Sequence, residues 1–367
     1  MQIDFANLKI QHNLYKEEIE EAILKVARDC NFIMGSQIDE LERNLEKFTG
    51  SKYAISCSSG TDALLLAMMA LDIQPDDEII TTPFTFFATA ETIAFLKAKP
   101  VFVDIDEKTY NIDPKKIEEK ISSKTKAIIP VSLYGQPCDM DEINQIAKKH
   151  NLKVIVDGAQ SFGSTYKGIS DSNLGDISCT SFFPAKPLGC YGDGGALFTN
   201  DEKLADKIKS LRFHGQSIRY HHQYIGMGGR LDTIQAAVLN VKLKYYEKDL
   251  KLRQDVAVKY TKALNAKNIE TPFVKNDRTS AWAQYSIRVQ NRTELQTKLQ
   301  NLGIPTAVHY PMPLHVQECF KYLNLKEGDF PISEKVSKEI MSLPMNPYVS
   351  DEEIEFIVGS LAKELRC

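Results

Sequence analysis

Residues 127–157 read AIIPVSLYGQPCDMDEINQIAKKHNLKVIVD, in which two apolar runs enclose a helical pattern. The apolar runs predict strands over residues 127–131 and 153–157, and the pattern between them predicts a helix over residues 139–150 capped by Asp139. A strand, a helix and a second strand in this order are typical of a parallel sheet covered by helices. This stretch therefore favours an α/β fold.

The same alternation continues on both sides of this stretch. Short β-rich runs follow longer helical patterns, which predicts a mostly parallel sheet with helices on both of its faces. Further strands are predicted over residues 53–57, 78–81, 100–104, 177–183 and 196–199, and further helices over residues 62–71, 88–96 and 114–121.

The pattern changes after residue 200. Residues 231–262 contain no proline or glycine and predict one long helix. We expect a large domain over residues 1–245 and a smaller C-terminal α/β domain over residues 246–367. The elements predicted for the smaller domain are a strand over residues 282–289 and helices over residues 292–302 and 349–365.

The amino-acid composition limits the classes of protein to which this chain could belong. Of 367 residues, 43% are hydrophobic and 26% are charged, as in ordinary soluble globular proteins. The net charge of −4 gives no overall positive field, so we expect neither nucleic acid nor membrane as a partner. The start of the chain lacks a secretory signal pattern, which favours a cytoplasmic protein. The seven cysteines, of which Cys367 is the last, form no CxxC pair and are expected to be reduced thiols without a metal.

Lys186 is the first candidate for chemistry. It lies in the apolar run SFFPAKPLGC at residues 181–190, which is followed by GDGG at residues 192–195. Burial lowers the pKa of a lysine, and a neutral amine can attack an aldehyde to form a Schiff base. Although a surface lysine is the ordinary alternative, such a residue is what a pyridoxal phosphate (PLP) enzyme requires.

Two places in the sequence could hold a phosphate. Ser58, Ser59, Gly60 and Thr61 stand between a predicted strand and a helix N-terminus, where free N–H groups and hydroxyls favour an anion. Serine and threonine are also ordinary helix caps at such a place. Ser181, at the start of the lysine run, is a further possible ligand.

Three other residues are suited to a flat pyridine ring. Asp157 ends an apolar strand, at the sheet edge where ligands bind, and a carboxylate there can keep a ring nitrogen protonated. Gln160 could reach the ring's phenolic oxygen, and Phe86 follows a strand and could stack on the ring. Each residue alone has a structural explanation, but their order along successive strand ends is much more specific.

With these motifs in place, the sequence resembles the PLP-dependent sugar nucleotide aminotransferases of the DegT/DnrJ/EryC/StrS group, which have fold type I. The resemblance covers essentially the whole chain. Within the group, residues 181–196 and VHYP at residues 308–311 are most similar to enzymes that aminate the 3-keto carbon of UDP-linked 2-acetamido sugars for lipid A or O-antigen. The shared motifs are SGTDAL (59–64), ATAE (88–91), KPVFVDID (99–106), PVSLYGQ (130–136) and DGAQS (157–161).

The resemblance implies a role for each candidate residue. Lys186 would bind the cofactor covalently and then move a proton, with L-glutamate as the amino donor. Arg230 would hold a donor carboxylate or the substrate diphosphate. His309 and Tyr310 would line the UDP-sugar site and would be contributed to it across the interface of a homodimer. The implied cofactor contacts are Asp157 to the ring nitrogen, Phe86 on the ring face, Gln160 to the ring oxygen, and Ser59, Gly60, Thr61 and Ser181 to the phosphate.

Two departures from the group stand out. Relatives have an asparagine that reaches the neighbouring subunit's cofactor phosphate, and this chain has Gly228 in that position. Relatives often have glutamate where this chain has Gln37. The histidine-rich run at residues 214–222 fits no common metal-ligand spacing.

Three alternatives remain beside C3 amination. Sugar dehydratases of the same fold carry histidine at the lysine position, so Lys186 argues against that reaction. Amination at C4 of a 4-keto-6-deoxy sugar is a nearer alternative. A non-catalytic regulator of the same fold is disfavoured by the balanced charge and by the presence of both Lys186 and Asp157.

Overall fold

The computed structural model describes residues 3–365. Cys367 and the outer ends of both predicted domains lie outside these residues. Among the described cysteines none forms a disulfide. None of the described helices is both long and apolar enough to cross a membrane.

The described chain alternates strands and helices from residue 53 onwards, after three N-terminal helices. The α-helices are α1 (Leu8–Leu14), α2 (Lys16–Asp29), α3 (Ser36–Thr49), α4 (Gly60–Ala70), α5 (Ala88–Phe95), α6 (Met140–His150), α7 (Glu202–Arg212), α8 (Thr233–Leu243), α9 (Tyr246–Asn265), α10 (Arg292–Asn301), α11 (Pro331–Glu339) and α12 (Asp351–Glu364). The strands are β1 (Tyr53–Cys57), β2 (Glu78–Thr81), β3 (Lys99–Phe102), β4 (Thr125–Ile128), β5 (Lys153–Asp157), β6 (Thr165–Tyr166), β7 (Ile169–Ser170), β8 (Ile177–Ser181), β9 (Gly195–Thr199), β10 (Gln216–Ile218), β11 (His221–His222), β12 (Tyr285–Arg288) and β13 (Ile340–Leu343).

Seven of these strands form one sheet, in the order β1-β9-β8-β5-β4-β2-β3. β9 runs antiparallel to both of its neighbours, and every other neighbouring pair in this sheet is parallel. The mostly parallel sheet predicted from the sequence is therefore confirmed. Because parallel strands end at the same edge, the segments that follow β1, β2, β5 and β8 meet there.

The sheet separates two cores. Ile55 and Leu197 pack on one face against the helices α4 and α7. Their neighbours Ala54 and Phe198 belong to a second core with α3 and α8 on the other face. This alternation follows from the two-residue period of a strand. Packing on both faces holds in place the strand ends where the candidate site lies.

The predicted long helix over residues 231–262 is wrong. The chain forms α8 and α9 instead, with a tight turn at Lys244 and Tyr245, whose amides bond three residues back. α8 packs beside the sheet, whereas Val256 and Tyr260 of α9 belong to a different core with β12, β13 and α12. A change of packing partner therefore ends the first helix without any proline or glycine.

Two smaller predictions are also corrected. Residues 114–121 form two short 3-10 helices, Pro114–Lys116 and Glu118–Lys120, and no α-helix. The Asp139 side chain does not cap α6, because it instead forms ion pairs with Lys275 and Arg278. The division into domains at residue 245 stays a prediction.

Candidate active site

Asp157 lies at the carboxyl end of β5 and is almost fully buried. Its Oδ2 accepts a hydrogen bond from Thr89 Oγ1 at 2.7 Å, and its Oδ1 accepts one from the Ala159 amide at 3.2 Å. Burial raises the pKa of this carboxyl, although the two hydrogen bonds and the charge of Lys186 lower it. A carboxylate in this state gains free energy when a cation or a protonated ring lies beside it.

Lys186 is partly buried in the loop that joins β8 to β9. The loop is closed at its base, because the Phe182 amide bonds to Gly194 O at 2.7 Å and the Cys190 amide to Phe182 O at 2.8 Å. Burial lowers the pKa of the Lys186 amine, and the charge of Asp157 opposes this effect. The structure thus brings Lys186 and Asp157 into one electrostatic environment, in which burial shifts the Lys186 amine towards its neutral, nucleophilic form.

A cradle for a phosphate lies between β1 and α4. Ser59 caps α4 by accepting the Asp62 amide at 3.0 Å, and the Ala63 amide bonds to Ser59 O. Within residues 3–365 the amides of Gly60 and Thr61 have no acceptor, as expected for the open first turn of a helix. These two amides are free to bind an anion.

Ser181 forms the opposite side of this cradle. A Cβ at Gly60 would lie 2.6 Å from Ser181 Cβ, and a Cβ at Gly195 would lie 2.4 Å from Ser59 O. Only glycine at residues 60 and 195 allows this close approach of backbones. The predicted phosphate residues Ser59, Gly60, Thr61 and Ser181 are therefore adjacent in the structure.

Phe86 and Gln160 lie near the same strand ends. The Phe86 side chain is 54% exposed, and its ring centroid is 5.9 Å from that of Tyr310. Gln160 is buried; its Nε2 donates to Tyr310 Oη at 3.1 Å, and its Oε1 accepts the Tyr134 amide at 2.7 Å. Burial and the charge of Asp157 raise the pKa of the Tyr310 hydroxyl.

His309 precedes Tyr310, and its ring contacts a residue in the C-terminal part of the chain. Its Nδ1 lies 2.9 Å from Ser342 Oγ, and its carbonyl oxygen accepts the Tyr134 hydroxyl. Burial and the charge of Lys186 lower the pKa of the His309 imidazole to about 4. The ring is therefore neutral at neutral pH and can hydrogen-bond a substrate without adding charge.

Arg230 follows Gly229, whose carbonyl oxygen accepts the Ser58 amide at 3.1 Å beside the cradle. Its guanidinium lies over the Phe213 ring, 4.7 Å from the centroid, and within the described residues it has no carboxylate within 4 Å. A Cβ at Gly228 would lie 3.2 Å from the His214 ring and 3.8 Å from Arg230 Nη2. The imidazole of His214 thus fills the space into which an asparagine at residue 228 would extend.

The sequence model of the DegT/DnrJ/EryC1/StrS aminotransferase family matches residues 13–362 of this chain. The chain belongs to this family.

Individual members of the DegT/DnrJ/EryC1/StrS family are similar over their full length. A UDP-2-acetamido-2-deoxy-3-oxo-D-glucuronate aminotransferase from Pseudomonas aeruginosa is 50% identical over 359 residues, which cover 98% of this chain and 99% of the relative. A UDP-N-acetyl-3-dehydro-alpha-D-glucosamine 3-aminotransferase from Acidithiobacillus ferrooxidans is 38% identical over 363 residues, covering 99% and 98% respectively.

Two solved structures are also similar to this chain over nearly its whole length. A DegT/DnrJ/EryC1/StrS aminotransferase from Brucella abortus is 39% identical with a TM-score of 0.96, covering 99% of this chain and 100% of that one. NtdA from Bacillus subtilis, with bound cofactor PMP, is 30% identical with a TM-score of 0.88, covering 99% of this chain and 85% of that one. The predicted fold class, that of PLP-dependent aminotransferases of fold type I, is confirmed.

The residues of this family member fit PLP, the cofactor predicted from the sequence. The two free amides beside Ser181 suit its phosphate, and the buried carboxyl of Asp157 suits a protonated ring nitrogen. The exposed face of Phe86 is available to a flat ring. Lys186 would supply the amine that the cofactor's aldehyde requires.

Two residues of the site were not predicted. Thr89 bonds to Asp157 from α5, and Tyr134 bonds to Gln160 and His309 from the segment after β4. Thr89 lies within the quoted motif ATAE (88–91), three residues after Phe86. This nearness to a candidate residue could have indicated its role. Tyr134 also lies within a quoted motif, PVSLYGQ (130–136), but its partners are 26 and 175 residues away, so the local sequence gave it no role.

Proposed function

We propose that this protein transfers the amino group of L-glutamate, through PLP, to C3 of a UDP-linked 2-acetamido-3-keto sugar. One observation carries the proposal. A lysine with a lowered pKa faces a buried carboxyl at the carboxyl end of the sheet, in a chain 50% identical to a 3-oxo sugar aminotransferase. Lys186 is the residue expected of an aminating enzyme, not of the dehydratases that carry histidine there.

PLP, when bound, accepts an amino group from a donor and passes it to an acceptor carbonyl. The residues of this chain would bind and orient the cofactor and move protons. The amides of Gly60 and Thr61 would bind the phosphate, and Asp157 would keep a proton on the ring nitrogen. The Lys186 amine would move a proton to and from the reacting carbon, and burial, which lowers its pKa, favours this role.

The sugar is the finer part of the proposal. The relative from P. aeruginosa acts on a 3-oxo-glucuronate and is more similar than the relative that acts on a glucosamine. We therefore propose the uronate as the preferred substrate, with the product used for O-antigen or lipid A. The neutral His309 and Tyr310 would line the sugar site, and Arg230 would supply the positive charge for a carboxylate or diphosphate.

We further propose a cytoplasmic homodimer with active sites at the interface. Ile218, Tyr220 and Ile225 are between 74% and 93% exposed, and they lie in the segment just before Arg230. Exposed apolar side chains in one segment are typical of a surface that another chain covers. Light scattering would test the oligomeric state directly.

The function is tested with purified protein, PLP and L-glutamate. The loaded protein should absorb in the visible, and glutamate should bleach this band. Lys186→Ala should lose both the response and turnover. Product NMR after reaction with the 3-keto uronate or the 3-keto glucosamine would locate the new amine. Turnover of a 4-keto-6-deoxy sugar nucleotide without turnover of the 3-keto sugars, or full turnover by Lys186→Ala, would contradict the proposal.

A further inference from the structure

Asp171 is a buried carboxyl residue that the proposed reaction does not yet use. It follows β7, its side chain is 1% exposed, and it forms no ion pair within residues 3–365. A carboxylate removed from water without a cation is unfavourable, so its retention in the fold points to a role.

The Asp171 carboxylate accepts two serine hydroxyls. Ser132 Oγ donates to Oδ1 at 3.0 Å, and Ser161 Oγ donates to Oδ2. The Ser132 amide also bonds to Asp157 O at 3.0 Å, and the Ser161 amide bonds to Gly158 O at 3.1 Å. Asp171 therefore connects both segments that hold the backbone of Asp157 in place.

The carboxylate also lies directly behind the turn that follows Asp157. A Cβ at Gly158 would be 3.2 Å from Asp171 Oδ2, so the carboxylate lies in contact with the backbone of residue 158. The same turn, over residues 157–161, carries Gln160. Asp171 is thus placed to fix the direction of two side chains that face the proposed cofactor ring.

The charge of Asp157 reaches the buried carboxyl of Asp171. Burial and the charge of Asp157 raise the pKa of Asp171 to about 6, although the two serine hydroxyls lower it. Arg278 also lowers it, but that guanidinium already pairs with Asp139 and Asp277. The thiol of Cys138 faces Asp171 as well, and burial and the charge of Asp171 raise the pKa of this thiol.

We propose that Asp171 is a positioning residue for Asp157: it fixes the turn over residues 157–161 through Ser132 and Ser161, and its negative charge helps to keep the cofactor's ring nitrogen protonated. The proposal rests on the proposed PLP function. Like charges raise each other's proton affinity, so a negative Asp171 favours any positive group that lies against Asp157.

The test compares two cofactors in the same protein. PLP has a ring nitrogen that Asp157 can keep protonated, and 1-deaza-PLP has a carbon there. The wild type should bind PLP more tightly than the deaza compound. Asp171→Asn keeps the shape of the side chain and removes its charge, so it should reduce this preference about tenfold, equivalent to about one pKa unit. A purely structural role would weaken the binding of both compounds equally.

Two further measurements complete the design. The difference between wild type and Asp171→Asn should be larger near pH 8 than near pH 5, because Asp171 takes up a proton between these values. Asp176→Asn is the matched control: Asp176 bonds to Val154 and Lys153 at the opposite end of β5, and its loss should leave the preference unchanged.

The outcomes are distinct. An unchanged preference for PLP in folded Asp171→Asn, checked by circular dichroism of the cofactor-free protein, overturns the inference. If Asp171→Asn does not fold, Ser161→Ala serves instead, and it should weaken the binding of PLP more than that of 1-deaza-PLP, because it releases the turn that holds Asp157. A wild-type preference for PLP in that variant would also overturn the inference. Failure of the wild type to bind PLP at all would instead refute the proposed function.

Discussion

Thr89 is the single residue that most directly controls Asp157. Its hydroxyl donates to a buried carboxylate oxygen at 2.7 Å, and this hydrogen bond lowers the pKa of Asp157 against the effect of burial. Sequence alone predicted the carboxylate and the lysine, because residue type and position after a strand are local signals. It did not predict Thr89, because a contact over 68 residues depends on how α5 packs against the end of β5.

We expect Thr89→Val to weaken PLP binding about tenfold and to destabilise the protein by about 1–3 kcal/mol. The substitution keeps the shape but leaves a buried carboxylate oxygen without its donor. Calorimetric titration with PLP and chemical unfolding would measure the two effects. Thr92→Val is the control, since the Thr92 hydroxyl bonds to Ala88 O within the same helix and does not touch Asp157. Equal PLP affinities in the two variants would contradict the prediction.

His309 should make the stability of the protein depend on pH. Its pKa in the folded state is about 4, and that of an unfolded histidine is about 6.5. Between these values the unfolded chain binds a proton that the folded chain does not, so stability falls as the pH falls. We expect this residue to account for about 2–3 kcal/mol of that loss.

His309→Asn isolates the contribution of the imidazole. The variant should lose less unfolding free energy than the wild type between about pH 6.5 and about pH 4, because only the wild type carries this titrating ring. Urea unfolding of the cofactor-free protein at both pH values gives the comparison. Parallel pH profiles for the two proteins would show that His309 is not the group responsible.

At the scale of elements, the sequence predicted which segments form strands and helices better than it predicted where those elements end. β1, β2 and β5 have the predicted bounds, because their apolar runs are short and clearly delimited. The turn at Lys244 and Tyr245 and the reversed direction of β9 were not predicted, because they depend on which core each segment joins. No local propensity encodes that choice.

The junction of β1 and α4 gives a prediction at this scale. A methyl group at Gly60 would lie 2.6 Å from Ser181 Cβ and 3.2 Å from Ser181 Cα, so β8 and α4 would have to separate. We expect Gly60→Ala to destabilise the protein by about 1–3 kcal/mol and to reduce PLP affinity about tenfold or more. Thermal unfolding with and without PLP would measure both.

Gly359→Ala is the matched control for Gly60→Ala. Gly359 lies inside α12, and a Cβ there would meet nothing within 4 Å. Alanine should therefore stabilise this helix by up to about 1 kcal/mol, with PLP affinity unchanged. If both variants bind PLP as tightly as the wild type, the cradle between β1 and α4 is not the phosphate site.

At the scale of the whole molecule, the sheet edge gathers residues from four segments of one chain. Gly229 O accepts the Ser58 amide at this edge, but the guanidinium of the next residue, Arg230, lies over the Phe213 ring. The sequence predicted that Gly60, Phe86, Asp157 and Lys186 lie close together. Each stands at the carboxyl end of a strand or in the segment that follows it, and these strands end at the same edge of the sheet. Within residues 3–365, no carboxylate pairs with Arg230, which stacks on Phe213 beside an exposed apolar segment. We infer that Arg230 acts on the site of a second copy.

This arrangement predicts complementation between two inactive variants. Lys186→Ala and Arg230→Ala should each have little activity as purified homodimers. After the two are unfolded together and refolded, half of the dimers should contain one chain of each kind, since association is random. In a symmetric dimer each mixed pair then has one site with both residues intact, which should restore about a quarter of wild-type activity. Mixing without refolding is the control, and it should restore less. If refolded mixtures stay inactive while light scattering shows dimers, Arg230 does not serve the partner's site.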